Sequence, residues 1–343
     1  MKSGCNILMV FALYPPYTGG AATYSSILIN RYQNESRISS ITLITEKNAK
    51  IKKRVDGKMI IKDVLMRKHS LSSTAFIYRL LAYVAVNIRL VYSFLRFKLS
   101  GGNTVHLHGS YKYLIPLLIC RLLRLRLIVD IRDLYVSTKY LKLANVIGYA
   151  SENIKVKLLE AGLKKKLTHF PVLFDRPKII MSNNDVKDLI PYIFYAGEIS
   201  QNKGIDKLIN CYLSSNVNDY ILVLAGKYKL KENIPHDGMI KYLGELPHSK
   251  ILEYISSAEL VINPSKNEGL SRLCVEAILL NKPTIFSSIS PELNQLASYI
   301  VEDVASIDFQ KLLSIKERYI VDLKEGDLKR LFDVSPILES YFY

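Results

Sequence analysis

Two absences in the sequence exclude whole classes of protein. The 4 cysteines (Cys5, Cys120, Cys211 and Cys274) are widely scattered, and no pair has the spacing of a metal site or of a disulfide framework. A reducing compartment is therefore expected. No charge-free apolar run approaches the roughly 20 residues that a membrane-spanning helix needs. The short apolar run near the N-terminus ends in two prolines, which favours a buried first strand over a signal peptide.

Acidic residues are scarce in the first half of the chain. Residues 1–170 hold 28 Lys and Arg against 8 Asp and Glu, whereas residues 171–343 hold 19 against 23. The net charge of +16 therefore comes from the first half. Such a basic half predicts an anionic partner: a membrane surface, a nucleic acid or a polyanionic substrate. No nucleic-acid-binding motif is present, so we expect no nucleic acid.

Short β-branched runs alternate with longer helical patterns along the whole chain. Two such series flank a Pro- and Asn-containing stretch at 171–190. They predict an α/β protein of two doubly wound, Rossmann-like domains, with parallel sheets covered on both faces. We expect an N-terminal domain at 1–172, a C-terminal domain at 190–330, and a helix at 331–343 that could pack back on the first domain. Site residues should follow strands, because ligands bind beyond the carboxyl ends of such sheets.

Three stretches have glycine or charge directly after a predicted strand. In "YPPYTGG", Gly19 and Gly20 enter a helix and leave backbone amides free for an anion, although many such loops carry glycine for turn geometry alone. No Gly-Lys-Ser/Thr follows, so this is not a Walker loop. In "FYAGEISQNKG", Gly197 ends a strand and Lys203 opens the next helix. This lysine could meet a phosphate, or it could be an ordinary exposed helix start.

The third stretch is "NPSKNEGLSRLCVEA", which leads from a strand into a helix from about Arg272. Free amides at Leu270 and Ser271 would suit a diphosphate. Glu268 in the loop and Glu276 in the helix could each accept hydrogen bonds from ligand hydroxyls. Spacing alone favours a plainer interpretation, in which Glu276 complements the helix dipole and Glu268 is exposed.

Taken together, the three stretches resemble the family-4 retaining glycosyltransferases of GT-B type. The glycine loop, the "G-R-L-x-x-x-K-G" element and the "P-S-x-x-E-G … E-A" element of that family look like "YPPYTGG", "GEISQNKG" and "PSKNEGLSRLCVEA". The order and spacing run through nearly the whole chain. The resemblance implies two Rossmann-like domains that face a central cleft, the N-terminal one binding the acceptor and the C-terminal one a nucleoside diphosphate sugar.

The resemblance also implies roles for single residues. Glu276 would hold the ribose hydroxyls, and Glu268 would meet a hydroxyl of the donor sugar. Lys203 and the amides after Gly269 would neutralise the leaving diphosphate. His108 would be a further catalytic residue, facing the cleft from the end of its strand. The donor would be a UDP- or GDP-sugar, with no separate cofactor and no metal, and the sequence has no Asp-x-Asp pair of the kind that metal-dependent transferases use.

The sequence departs from the family pattern at two places. The family arginine after the glycine is Glu198 here, and we hypothesise that Arg272 supplies the missing positive charge. In "DIRDLY", many members have His before the Asp, whereas this chain has Arg132 followed by Asp133. Roles for these two residues are therefore left open.

Two histidines share one face of a predicted strand, His106 and His108. A metal site would need a third ligand, and none is evident. We expect His106 to pack in the core and His108 to face the cleft, although a structural role is equally compatible with the pattern for both.

The stretch 73–102 combines apolar and aromatic residues with Arg79, Arg89, Arg96 and Lys98. It could be a buried domain helix with a basic edge, or it could lie in a membrane interface. We predict peripheral binding to an anionic membrane at the cytoplasmic face.

These expectations combine into one function: transfer of a hexose-type sugar with retention to a glycan or polyprenyl-diphosphate-linked saccharide. The setting would be bacterial surface polysaccharide assembly, such as O-antigen or capsule. A sugar-nucleotide epimerase of the same fold and a non-enzymatic membrane or nucleic-acid binder are the alternatives. A glycoside hydrolase is disfavoured, because its two carboxylates would have to face each other across a sugar.

Overall fold

The computed structural model divides the chain into two compact units. The first unit combines Met1–Phe174 with Leu331–Tyr343, and the second comprises Asp175–Arg330. The structure describes residues 4–11, 13–14, 20–46, 55–56, 59–65, 76–108, 114–132, 138–171, 173, 190–215, 217–230, 238–265, 271–286, 307–314, 316–320 and 333–342.

The first unit is built on an eight-stranded sheet. Its strands are β1 (Cys5–Phe11), β2 (Ile38–Glu46), β3 (Val55–Asp56), β4 (Met59–Leu65), β5 (Thr104–His108), β6 (Arg126–Ile131), β7 (Val146–Tyr149) and β8 (Leu167–His169). Their order across the sheet is β3-β4-β2-β1-β5-β6-β7-β8. All neighbours pair in parallel except β3 and β4, which are antiparallel.

Helices cover both faces of this first sheet. They are α1 (Gly20–Gln33), α2 (Phe76–Leu99), α3 (Leu114–Leu122) and α4 (Glu152–Glu160). The side chains of β1 alternate between two cores, as a strand with a period of two residues requires. Ile7 and Met9 pack with α1, whereas Leu8 and Val10 pack in the core that also takes in α2, α3 and α4.

The second unit has a five-stranded, all-parallel sheet. Its strands are β9 (Tyr192–Ala196), β10 (Ile221–Ala225), β11 (Ile240–Tyr242), β12 (Leu260–Asn263) and β13 (Thr284–Phe286). The described helices are α5 (Ile205–Ser214), α6 (His248–Ser257), α7 (Arg272–Leu279) and α8 (Phe309–Ser314). Across the sheet the strand order is β11-β10-β9-β12-β13, so the chain order runs from β9 to β11 towards one edge and from β12 to β13 towards the other. The order therefore reverses between β9 and β12, although all strands stay parallel. Ligands of doubly wound sheets bind beyond the carboxyl ends of the strands at such a reversal.

The C-terminal segment belongs to the first unit. Helix α9 (Ser335–Glu339) places Ile337 and Leu338 in the same core as α1. Arg126, on β6, donates a hydrogen bond from Nε to the carbonyl of Ser340 over 2.7 Å. Within the part of the chain that the structure describes, no helix has the length and apolarity to cross a membrane.

Candidate functional site

The loops that follow β9 and β10 in the second unit lie against each other. Gly197, directly after β9, donates a backbone hydrogen bond to Ala225 over 2.9 Å. Gly226, directly after β10, has φ +133° and lies so close to Gly197 that a Cβ there would meet the Gly197 carbonyl oxygen at 1.8 Å. A side chain would therefore force the two loops apart. The glycines let both strands end at the same edge with their loops in contact.

Lys203 lies on a turn that packs against the chain after β12. It ends a 3-10 turn, Gln201–Lys203, and Gly204 follows in the left-handed conformation with φ +71°. A Cβ on Gly204 would lie 2.9 Å from the carbonyl oxygen of Pro264, the residue directly after β12. The fold thus brings the Lys203 turn next to the loop that leads towards α7.

The carboxylate of Glu276 is buried and held from two sides. Its side chain is only 6% exposed, and its Oε1 accepts hydrogen bonds from Arg272 Nε at 2.6 Å and from His248 Nε2 at 2.7 Å. Arg272 lies one turn earlier on α7, and His248 is the first residue of α6. Among the described residues, Oε2 of Glu276 has no hydrogen-bond partner. The arrangement fixes one carboxylate oxygen and leaves the other able to accept hydrogen bonds.

Helix α7 begins as the sequence predicted. Ser271 is its N-cap, and its Oγ accepts a hydrogen bond from the backbone amide of Cys274 at 3.4 Å. The first-turn amides of a helix lack internal partners, which makes its start suited to an anion. Gly269, Leu270 and Glu268, which precede this helix, lie outside the described residues, so their predicted roles stay predictions.

Glu198, which stands where the family has arginine, forms a salt bridge with Lys229. The hydrogen bond from Lys229 is the main cause that holds the pKa of Glu198 below its ordinary value, and the positive charge of Lys203 acts in the same direction. Lys229 follows β10 and donates its backbone amide to Ile199 over 2.8 Å. Two lysines therefore lie around Glu198, whereas Arg272 is paired with Glu276.

In the first unit, His108 ends β5 and stacks on Phe11 with ring centroids 5.1 Å apart. Its ring also lies 5.7 Å from that of Tyr24 on α1. Gly20 is the first residue of α1, and a Cβ there would meet no described atom within 4 Å. Gly19 and Asp133 lie outside the described residues.

A buried polar cluster lies behind His108, and sequence reasoning had assigned it no role. Asp130, on β6, accepts hydrogen bonds from Tyr24 Oη at 2.7 Å and from Arg132 Nε at 3.0 Å. The Arg132 guanidinium stacks 3.6 Å above the Tyr24 ring and donates through Nη1 to the Pro171 carbonyl at 3.1 Å. In "RLIVDI", Asp130 is a charged residue within an otherwise apolar run, and this signal could have identified it.

Burial and charge act in opposite directions on Asp130. Burial alone would raise its pKa, but the Arg132 guanidinium and the neighbouring histidines hold the pKa well below its ordinary value. His106 lies on the other side, with Nε2 3.7 Å from Asp130 Oδ2 and Nδ1 hydrogen-bonded to Tyr341 Oη. His106 is fully buried, so the structure gives it a packing position. No group of three or more metal-ligating side chains occurs in the described part of the chain.

Comparison with known proteins adds a family likeness for the second unit and a fold likeness for the whole chain. Residues 178–301 match the family model described as "Glycosyl transferases group 1". A search of curated proteins found no match. Sucrose-phosphate synthase (tll1590) from Thermosynechococcus elongatus is similar in structure, with a TM-score of 0.70 and 14% identity over 98% of this chain and 96% of that one.

Two further solved structures share the fold. Anabaena Alr3699/HepE in complex with UDP and glucose gives a TM-score of 0.71 at 14% identity, over 98% of this chain and 97% of that one. The lipopolysaccharide outer core galactosyltransferase WaaB, in its apo form, gives 0.65 at 15% identity, over 98% and 99% of the two chains. At such identities the likeness shows the fold alone. The predicted fold class, α/β with two largely parallel sheets of GT-B type, is confirmed.

Proposed function

We propose that this protein is a glycosyltransferase that moves a hexose-type sugar from a nucleoside diphosphate sugar to a glycan or lipid-linked saccharide. One observation carries the proposal: three features follow β9 and β12, the two strands between which the strand order of the second sheet reverses. They are the Lys203 turn, the start of α7, and the carboxylate of Glu276, which uses only Oε1 for hydrogen bonds to the described residues. Nucleotides bind at this place in doubly wound sheets, with the diphosphate at a helix start. The matched family segment, residues 178–301, contains all three features.

The proposed roles follow from the chemistry of each group. Oε2 of Glu276 would accept hydrogen bonds from the ribose hydroxyls, while Arg272 and His248 hold Oε1 in place. Lys203 and the first amides of α7 would stabilise the charge that develops on the diphosphate as it leaves. Glu268 is proposed to bind a hydroxyl of the sugar. His108, in the first unit, is proposed as a further catalytic residue.

We propose retention and no required metal. The bond from the anomeric carbon to the diphosphate oxygen breaks, and a bond from the same carbon to the acceptor oxygen forms on the same face. Because the acceptor attacks on the face that the diphosphate leaves, retention needs no protein nucleophile, and the acceptor proton passes to the departing diphosphate. Positive charge from Lys203 would do the work that a metal ion does elsewhere.

The donor and the setting are proposed from the relatives that share the fold. HepE was solved with UDP and glucose, which supports a UDP-sugar, with a GDP-sugar as the second choice. WaaB is named as a lipopolysaccharide outer core galactosyltransferase, which supports a role in surface polysaccharide assembly. We propose O-antigen or capsule as the product. The acceptor would then be linked to polyprenyl diphosphate at the inner face of the cell membrane.

Nucleotide binding is the first test. UDP, GDP and ADP are compared by thermal unfolding, because a ligand at about 100 times its Kd stabilises the folded state by about 2.7 kcal/mol. We expect one of them to raise the Tm of the intact protein and to do so far less with Lys203→Ala. Lys207→Ala on the exposed face of α5 is the matched control. If no nucleotide raises the Tm, the proposal is wrong.

Product analysis separates transfer from the alternative. An epimerase would convert the nucleotide sugar with no acceptor present, whereas a transferase consumes it at an appreciable rate only with an acceptor.

The anomeric configuration of the product, read by NMR coupling constants, tests retention. Activity that is unchanged in excess EDTA would agree with a metal-independent reaction, and activity that is abolished by EDTA and restored by a divalent cation would contradict it.

A further inference from the structure

Two helices of the first unit expose continuous apolar stripes. On α2 the exposed apolar side chains recur every three or four residues, the spacing that places them on one face of a helix. Ile88 is 63% exposed and Leu99 is 86% exposed. On α3 the same spacing relates three exposed residues. The stripe residues are Leu81, Val84, Ile88, Tyr92, Leu95 and Leu99 on α2, and Ile115, Leu118 and Leu122 on α3.

Both stripes lie on the outside of one helical layer. The opposite sides of the two helices, through Leu90 and Phe94 of α2 and Leu117 of α3, are buried in a single core on one face of the sheet. The helices also pack against each other. Their exposed sides therefore point away from the same face of the sheet. We call the nine stripe residues together with the basic side chains between them the α2–α3 face.

The stretch of sequence that carries both stripes has charge of one sign. Residues 64–129 contain 10 Lys and Arg and no Asp or Glu. Among the described side chains, the exposed basic residues on or next to the two helices are Arg89, Arg96, Lys98, Arg121 and Arg124. A second copy of the same face would bring like charges together, which disfavours self-association. An anionic surface that can also accept apolar side chains complements the α2–α3 face.

We propose that the α2–α3 face docks the protein on an anionic lipid membrane. The 24 residues of α2 would lie along the surface over about 36 Å. Its apolar stripe would enter the boundary between headgroups and acyl chains, while the arginines reach lipid phosphates. The sequence alone left a buried helix and an interfacial helix as alternatives, and the structure shows one buried and one exposed apolar side on α2. This proposal does not depend on glycosyl transfer.

Vesicle co-sedimentation of the full chain tests the proposal without any sugar donor. Vesicles of phosphatidylcholine alone are compared with vesicles that contain phosphatidylglycerol. We expect binding to the anionic vesicles, weakened by high salt. Arg96→Gln with Arg121→Gln should lower the partition coefficient about fivefold for each charge removed. Ile88→Ser with Leu99→Ser should lower it at least about tenfold, because these side chains lose apolar burial in the lipid.

Matched changes in the second unit separate this face from general adsorption of a basic protein. Leu213 and Lys207 are exposed on α5, and Leu213→Ser with Lys207→Gln should leave vesicle binding unchanged. An equal loss in this control, or equal binding to neutral vesicles, would overturn the proposal. So would a dimer in sedimentation velocity that Ile88→Ser with Leu99→Ser converts to monomer, because the stripe would then be a contact between two copies. Circular dichroism checks that each variant is folded.

Discussion

At the scale of single residues, Glu276 shows how a side chain becomes a candidate ligand-binding group. The sequence placed it one turn inside a helix, where it could have served only to complement the helix dipole. The structure instead buries its carboxylate and joins it to Arg272 and His248. His248 comes from a different helix, 28 positions away in sequence, so spacing could not have revealed it. A carboxylate held this way loses little conformational entropy on binding a ligand.

His248 gives a test of this positioning role. His248→Ala should weaken nucleotide binding about tenfold in isothermal titration, because Glu276 then lacks one of its two donors. His248→Gln keeps an N–H group and should recover most of the affinity. Equal losses for alanine and glutamine would contradict an orienting hydrogen bond. If both variants lower the Tm of the ligand-free protein by a similar amount, the difference between their nucleotide affinities still reports on the hydrogen bond.

Asp130 leads to a prediction about pH. Folding lowers the pKa of Asp130 below its value of about 3.9 in the unfolded chain. The ionised carboxylate therefore stabilises the fold fully above about pH 3.9. This stabilisation is lost as the pH falls from about 3.9 towards the lower pKa of the folded protein. Asp130→Asn should therefore lower the free energy of unfolding by about 3 kcal/mol at pH 7, because Arg132 loses its buried partner. The difference from the wild type should shrink at pH 3.

Urea unfolding at the two pH values measures this effect. Glu152→Gln removes an exposed carboxylate that pairs with Lys155 on the helix surface, and it should change little at either pH. A difference between wild type and Asp130→Asn that is the same at pH 3 and pH 7 would mean that Asp130 stabilises the fold through packing rather than through its charge.

At the scale of elements, the site depends on how loops after separate strands meet. The sequence located the strands β9 and β12 and the helix α7, because buried parallel strands are continuous apolar runs. It did not indicate that the turn before α5 packs on Pro264 or that the loops after β9 and β10 touch. It also did not identify the short strands β3 and β8, which have two and three residues. Short edge strands carry too few residues to show a period.

Gly226→Ala tests the contact between the loops after β9 and β10. The added Cβ would collide with the Gly197 carbonyl, and the alanine would have to adopt φ +133°. We expect a loss of about 1–3 kcal/mol in the free energy of unfolding and weaker nucleotide binding. Gly20→Ala is the control for the stability measurement alone, since its Cβ would meet no described atom and alanine favours a helix by up to about 1 kcal/mol. A fully stable Gly226→Ala protein would show that the loops can separate freely.

At the scale of the whole molecule, the C-terminal segment of the chain, Leu331–Tyr343, belongs to the first unit. Ile337, Leu338 and Tyr341 fill a core that α1 and the first sheet also line. The Tyr341 hydroxyl meets His106, which lies next to Asp130. The apolar and aromatic character of the tail indicated that it would pack, but it carried no information about the surface on which it packs.

Tyr341→Phe tests this attachment. The change leaves Nδ1 of the buried His106 without the Tyr341 hydroxyl, so the free energy of unfolding should fall by about 1–3 kcal/mol. Tyr92→Phe alters an exposed tyrosine of α2 and should stay within about 0.5 kcal/mol of the wild type. Denaturant unfolding measures both. Equal stability of the two variants would mean that the hydroxyl contributes nothing to the attachment of the tail.

The sequence by itself determined the class of fold and the strands after which a site should be sought. It could do so because burial imposes periods of two and of about 3.6 residues, and because glycine and helix-start residues mark the turns between elements. Only the tertiary structure decided which groups meet: His248 with Glu276, Lys229 with Glu198, Tyr341 with His106, and the two exposed stripes in one layer. These pairings join distant positions, and the physical cause is the packing of whole elements, which no local pattern contains.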